Sequence, residues 1–257
     1  SPAAEDFPWL VEGIDVAKGK AGWSVSVTDI VADPDLTLDP KRLCRKFSAV
    51  RNEVRKGKHF KLGDAVDFVA EKTTASGKRV KKTDKGQYRY VELQDMGHGD
   101  FRMTDLRGWA LPDRAKHFAE GGDVYVGKIW GSVTKWCLIP NDLPDVVVTN
   151  GCHRLRMKKG KESLQTDIVA FLCSEAYAVQ MRGFARGSDG LAEITEDDAG
   201  SVLIPELTKA QRADLAGYVT GLLTGTADIR SKVGALMAAG KLGYPATPNR
   251  PSHVVLV

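Results

Sequence analysis

The stretch "GDVYVGKIWGSVTKWCLIPNDLPDVVVTNGCHRLRMKKGKE", residues 122–162, decides how this chain is read. Turn residues divide it into apolar runs near 123–129, 134–139, 145–149 and 152–157, which predicts short strands in a curled, mostly β domain. Lys128, Trp130, Ser132, Thr134 and Lys135 crowd into one turn, and Arg154, Arg156, Lys158, Lys159 and Lys161 close the segment. A short turn rich in hydroxyls and amines suits base-edge readout with phosphate anchoring. Ordinary hairpin chemistry explains the same residues. Arg154 and Arg156 alternate along one strand, a pattern more typical of structural ion pairs.

Upstream, "FKLGDAVDFVAEKT" (60–73) is apolar enough to pack as a short helix or a strand pair, and "QYRYVELQDM" (87–96) predicts a strand with Tyr88 and Tyr90 on one side. Between them runs a polar loop. Lys72, Lys78, Arg79, Lys81, Lys82, Lys85 and Arg89 make it the first candidate for contact with a phosphate-bearing partner, since each phosphate neutralised steepens the salt dependence of binding. A solvated lysine loop is the bland alternative. Further towards the N-terminus, "GWSVSVTDIV" (22–31) alternates like a half-buried strand. Leu43, Phe47, Val50 and Val54 give 40–56 a helical period that Gly57 would end.

Downstream of Ser163 the period changes to that of helices. Leu164, Ile168, Phe171 and Leu172 share a face, and helix continues to about Gly183. "RGFARGSDG" (182–190) then offers Arg182, Arg186 and Ser188 on a glycine-rich loop whose backbone N–H groups could approach phosphate. "ITEDDAG" (194–200) reads as the acidic start of a helical turn, and Val202–Ile204 as a buried strand stopped by Pro205.

The last third opens on Thr208 and Gln211, a capping box, and closes on Gly240, a favourable helix stop. Between them Leu215, Val219, Leu222, Thr226, Ile229, Val233 and Leu236 form an a/d-like seam for helix pairing, with Thr226 its one polar member. Roughly 32 residues at ~1.5 Å each predict a rod of about 48 Å, long enough to want a partner helix. Gly217, Gly221 and Gly225 lie four apart on one stripe.

Composition narrows the classes. The chain has 257 residues, 42% hydrophobic and 27% charged, with a formal net charge of +4, an ordinary globular balance that is only mildly basic. No apolar run approaches a membrane span and no signal peptide opens the chain, and Cys44, Cys137, Cys152 and Cys173 form no C-x-x-C pair. These features predict a reducing, cytoplasmic setting with no membrane partner. Phosphate-binding glycine loops, H-E-x-x-H and G-x-S-x-G are all missing. The five histidines are scattered. The only acid-x-Lys, Asp39-Pro40-Lys41, carries a proline that a core strand would not accept. A non-catalytic chain without metal or cofactor is expected.

Taken in order, these segments resemble the DNA specificity subunits of type I restriction-modification systems, over about residues 60–239. "FKLGDAVDFVAEKT" resembles the family's opening Gly-Asp segment and "YRYVELQDM" the strand after the first variable loop. "GGDVYVGKIWGSVTKWCLIPNDLPDVVVTNGCHRLRM" resembles the block running from GD-strand to R-[LI]-R. "VAFLCSEAYAVQMRGFARGSDGLAEITEDDAGSVLIPEL" resembles the helix, glycine loop and exit, and "TKAQRADLAGYV" the start of the long conserved helix.

The resemblance implies an α/β fold. Its parts would be a linker-like 1–57, a twisted, partly barrel-like, β-rich target-recognition domain with flanking helices at 58–206, one long helix for antiparallel pairing at 207–240, and a tail at 241–257. It implies a module that reads one half of a bipartite site in double-stranded DNA. Its partners would be an adenine-N6 methyltransferase subunit, a restriction/translocase subunit, and a second recognition domain or copy paired through the long helix. Family members carry two such domains and two helices, and this chain carries one of each. A half-subunit and the C-terminal part of a methyltransferase fusion both fit; "LTLDPKRLCRKF" resembles the linker that joins a methyltransferase to a fused recognition domain, and a first residue that is not Met fits an excised portion of something longer. A nonspecific nucleic-acid-binding assembly protein is the third reading.

Overall fold

The computed structural model describes residues 45–70, 80–83, 85–187, 192–224 and 229–245. The strand expected at 22–31 lies outside them. Helix α1 (Arg45–Arg55) keeps the expected period, burying Phe47, Val50 and Val54. The ambiguous segment after it resolves into both alternatives: strand β1 (His59–Lys61), a single helical turn α2 (Leu62–Ala65) and strand β2 (Val66–Phe68). Strand β3 (Gln87–Val91) follows, then β4 (His98–Gly99), β5 (Thr104–Arg107) and β6 (Ala115–Phe118). The four strands of the opening stretch are β7 (Val124–Gly127), β8 (Trp136–Leu138), β9 (Val146–Thr149) and β10 (Cys152–Met157).

Two sheets arise from this order. One runs β2-β10-β7-β8-β4 and the other β5-β3-β9-β6. Side-chain alternation tells the layers apart. Val124, Val126, Trp136 and Leu138 face the helices, while Tyr125, Cys137 and Ile139 face the second sheet, whose β9 answers with Val146 and Val148. Val147 points the other way, with Tyr88, Tyr90 and Phe118, into a small outer cluster. The first sheet is therefore buried on both faces, which is why its strands read as near-continuous apolar runs. The class is α/β and β-rich with flanking helices, as expected, and among the described residues the sheets do not close into a barrel.

Helices supply the third layer. Helix α3 (Gln165–Leu172) stops short of the expected continuation because Ser174 caps a new helix, α4 (Glu175–Phe184), accepting from the Tyr177 N–H at 3.2 Å. Helices α4 and α1 touch at Gly183, where any Cβ would collide with the Phe47 ring. The acidic turn is α5 (Glu196–Gly200), capped by Thr195, and leads into β11 (Leu203–Pro205), which pairs with β1.

The C-terminal third departs from the expected rod. Helix α6 (Lys209–Leu223) starts on the Thr208–Gln211 capping box, but its end is closed off: the Thr224 hydroxyl bonds the carbonyls of Thr220 and Gly221, and Asn141 N donates to Leu223 O. Helix α7 (Ile229–Ala238) runs back antiparallel to it and ends at Gly240, with φ 68°. Gln211 Nε2 donates to Lys241 O at 2.6 Å, and Lys232 Nζ lies 5.4 Å from the Tyr218 ring centre. Leu215, Val219, Leu222, Ile229, Val233 and Leu236 all belong to the chain's own core, which reaches from Phe47 to Tyr244.

This corrects the expectation that those residues pair with another copy. A heptad seam reports an apolar face and says nothing of what covers it; here α3 and the hairpin's own second arm do. The helix pairing is antiparallel but lies within one chain. Thr226 falls outside the described residues. Spin labels at 211 and 241 should report a short separation, where one continuous helix would give about 45 Å.

Candidate nucleic-acid interface

The basic burst at the end of the opening stretch turns inward. Asp123, buried at the head of β7, accepts from Arg154 Nε at 2.7 Å and Arg156 Nε at 2.9 Å, and Glu120 adds a 3.0 Å pair to Arg156. Arg154 is itself fully buried. Cross-strand pairing explains the geometry, because β7 and β10 are antiparallel neighbours with Arg154 opposite Tyr125. These arginines hold the sheet together. The "GD" and "R-L-R" of the sequence are the two halves of one ion cluster.

The turn 128–135 is where the sheet opens to solvent. It leaves β7 at Gly127, where a Cβ would strike the Ser132 carbonyl, so the chain must return tightly. The Ser132 hydroxyl donates to Ile129 O at 2.9 Å and accepts from Ile129 N at 3.2 Å, and Ser132 is buried. Lys135 Nζ donates to Met96 O at 2.8 Å. Sequence reasoning placed Ser132 and Lys135 against DNA; the structure uses them to build the turn, and Thr134 is half-buried there. Trp130 is different: its side chain stands 39% exposed, with the Arg182 guanidinium 5.2 Å from its ring centre.

Two loops distant in sequence meet at this tryptophan. Trp130 N donates to Ala192 O and Ile194 N to Lys128 O, both at 2.8 Å. Lys128 Nζ pairs with Glu193 at 2.5 Å, while Arg186 exchanges backbone hydrogen bonds with Glu193 and grips Asp198 at 3.0 Å. Lys128, Trp130, Arg182 and Arg186 are thus brought together. Ser188 lies outside the described residues.

The lysine loop is only partly described. Lys72, Lys78 and Arg79 fall outside it, and Arg89 sits half-buried within β3, its N–H donating to Asp145 O. Lys81 and Lys85 are exposed. Lys82 reaches Pro112 O at 2.8 Å and Asp113 at 3.3 Å, so this loop leans on the turn before β6.

That turn carries a residue the sequence did not mark. Arg114 borders an open depression of about 330 Å³ together with Glu92, Gln94, Ser132 and Lys135. Lys82 thus meets Asp113, the neighbour of Arg114; across the depression from Arg114 lies the Trp130 turn, which itself touches the loop of Arg186. Along this line the cations alternate with acids: Asp113, Glu92, Glu193, Asp198 and, at 3.5 Å from Arg182, Glu175. The pairs whose acids are exposed, Asp113, Glu193 and Glu175, are worth about 0–1 kcal/mol each, so their cations can leave for a phosphate at small cost, whereas Glu92 and Asp198 are buried and hold Arg114 and Arg186 in place. Trp109 and Met103, 68% and 41% exposed near the edge strand β5, add apolar surface that no periodicity announced. Among the described residues no cluster of His, Cys, Asp and Glu could hold a metal, and no helix is long and apolar enough to cross a membrane.

No protein-family description and no curated protein matches the chain. Solved structures similar to it include a type I restriction-modification system described for its complex assembly and conformational transition. That similarity is 17% identity over 71% of this chain and 45% of the other, with a TM-score of 0.47. The HsdS subunit of Thermoanaerobacter tengcongensis gives 16%, 71%, 45% and 0.48. The type I restriction-modification S subunit of M. genitalium gives 16%, 78%, 50% and 0.37. The chain spans half or less of the length of each.

Proposed function

We propose that the chain is a sequence-specific double-stranded DNA recognition module of the specificity-subunit type, reading one half-site for a methyltransferase and restriction partner that supplies catalysis. The observation that carries it is the line of aromatic and basic groups from Lys82 through Arg114 and Trp130 to Arg186. It joins four loops far apart in sequence, two flanking β3 and β6 of one sheet and two meeting at the end of β7 in the doubly packed other. Loops on a stiff scaffold suit readout, because the scaffold fixes their register while their side chains vary. Phosphate anchors and base readers need to be interleaved in such a surface, and the alternation of basic groups with acids and Trp130 along this line supports the reading. The segments that resemble the family supply this scaffold: the GD-strand and R-L-R block forms the buried ion cluster at the end of β7 away from the Trp130 turn.

The reading is tested by selecting from a randomised duplex library at physiological salt, with the chain alone and with its methyltransferase partner. An enriched motif of a few fixed bases supports it; salt-sensitive binding without a motif in either condition removes it. Within the same assay Lys85→Ala should lower the slope of log affinity against log salt by about 1 and leave the motif unchanged.

A further inference from the structure

Arg114 combines two properties that rarely occur together: its side chain is 61% exposed, yet its guanidinium is held from beneath by a buried platform. Arg114 Nε lies 2.5 Å from Glu92 Oε2, and Glu92 is only 9% exposed. Glu92 is itself fixed, its Oε2 accepting from the Tyr90 hydroxyl at 2.7 Å and its Oε1 from Leu93 N at 3.0 Å. Thr149, also buried, hydrogen-bonds into the same group. The neighbouring hydrogen bonds and Arg114 hold the Glu92 carboxyl below its ordinary value against the opposing effect of burial, so it stays an anion. From the other side, Asn150 N donates to Arg114 O at 2.8 Å, pinning the backbone.

The arrangement has a chemical direction. An arginine on a solvated surface samples many rotamers, and fixing it costs side-chain entropy that an exposed ion pair hardly returns. A point-charge contact to phosphate needs no such fixing. Reading a base does, because the fork must present two donors in one plane. The inner nitrogen is engaged by Glu92, and the guanidinium also hydrogen-bonds the Tyr90 hydroxyl; the fork so held presents donors that match the O6 and N7 acceptors of guanine in the major groove.

We propose that Arg114, buttressed by Glu92, is a base-reading arginine that specifies a guanine in the half-site, with Glu92 as its positioning residue. The inference rests on the DNA-recognition reading above and adds to it one residue and one base.

The experiment is the duplex-library selection repeated with the 257-residue chain and its Arg114→Ala, Arg114→Lys and Tyr90→Phe variants, each checked for folding by circular dichroism. In the parent motif one guanine should depend on Arg114. Arg114→Ala should lower the preference for it roughly 5- to 150-fold over other bases while sparing the remaining positions. Arg114→Lys keeps the charge but loses the fork, so it should restore affinity more than base preference. Tyr90→Phe, which removes one hydroxyl that bonds both Glu92 and Arg114 and leaves the guanidinium in place, should weaken the same position to a lesser degree. A parent motif that Arg114→Ala leaves unchanged, or an affinity loss spread evenly over all sequences, overturns the guanine assignment and leaves the recognition function standing. A parent chain that enriches no motif overturns both.

Discussion

Replacing Asp123 with Ala should cost the fold about 3–5 kcal/mol, the typical cost of removing one partner from a buried ion pair. Asp123 is the shared acceptor for Arg154 and Arg156, and Arg154 has no route to solvent. Taking the carboxylate away strips the buried guanidinium of its 2.7 Å partner, while Glu120 lies farther off at 3.6 Å. The converse replacement separates loss of charge compensation from loss of shape. Asp123→Leu combined with Arg154→Met removes both charges and should recover a large part of the deficit, since apolar groups of similar volume often match a buried pair. Urea unfolding midpoints of the parent, the single variant and the double variant measure this directly. A single variant as stable as the parent would mean that the cluster is ornamental.

Acid should weaken the fold well before the carboxylates protonate. Burial pushes His117 and His153 down to about 4, with nearby cations adding to the effect and, at His153, the Ile194 carbonyl opposing it. An unfolded histidine titrates near 6.5. As pH falls through the window from about 6.5 to about 4, the unfolded chain takes up protons that the folded chain refuses. The stability these groups provide is complete above that window and gone below it. Each is worth about 3 kcal/mol at most by linkage, and His117, the less enclosed of the two, less than His153. Denaturant midpoints between pH 7.5 and 4.5 should slope accordingly, and His153→Gln should flatten the slope. A flat parent profile would contradict it.

The strands of residues 122–157 were legible because, although they belong to two sheets, they are buried on both sides over most of their length, and their apolar runs are bounded by turn residues. Residues 98–118 were not, for particular reasons. Strand β4 is two residues long, and β5 is an edge strand whose Thr104, Asp105 and Arg107 are exposed, so neither shows an apolar alternation. In β6 an irregularity between Ala115 and His117 places the two fully buried residues, Ala115 and Phe118, three apart, which breaks the period of two. The C-terminal hairpin was misread for a different reason. Its apolar positions were found correctly, but the fold back onto the domain depends on Asn141 and Lys241, which no local pattern connects to the helices.

The interface divides in the same way. Trp130 and Arg182, marked by residue type and loop chemistry, meet in the structure, whereas Ser132 spends the same chemistry on its own turn and Lys135 on the Met96 carbonyl. Arg114 carried no signal at all. What distinguishes it is a carboxylate 22 positions away in sequence, brought beneath it by the pairing of β3, β9 and β6.

The buried Gln180 bears on how such a protein survives in a crowded cell. Its carboxamide donates to Leu203 O and accepts from Leu203 N, both at 2.9 Å, imitating a neighbouring strand on β11 with a single side chain. Strand β11 pairs with β1 on its other side, so neither backbone group of Leu203 is left to recruit a foreign chain. Open strand edges are templates for aggregation. A glutamine on helix α4 thus acts as a stopper, keeping this ribbon at two strands and closing one route to self-association that the chain's many short strands would otherwise leave open.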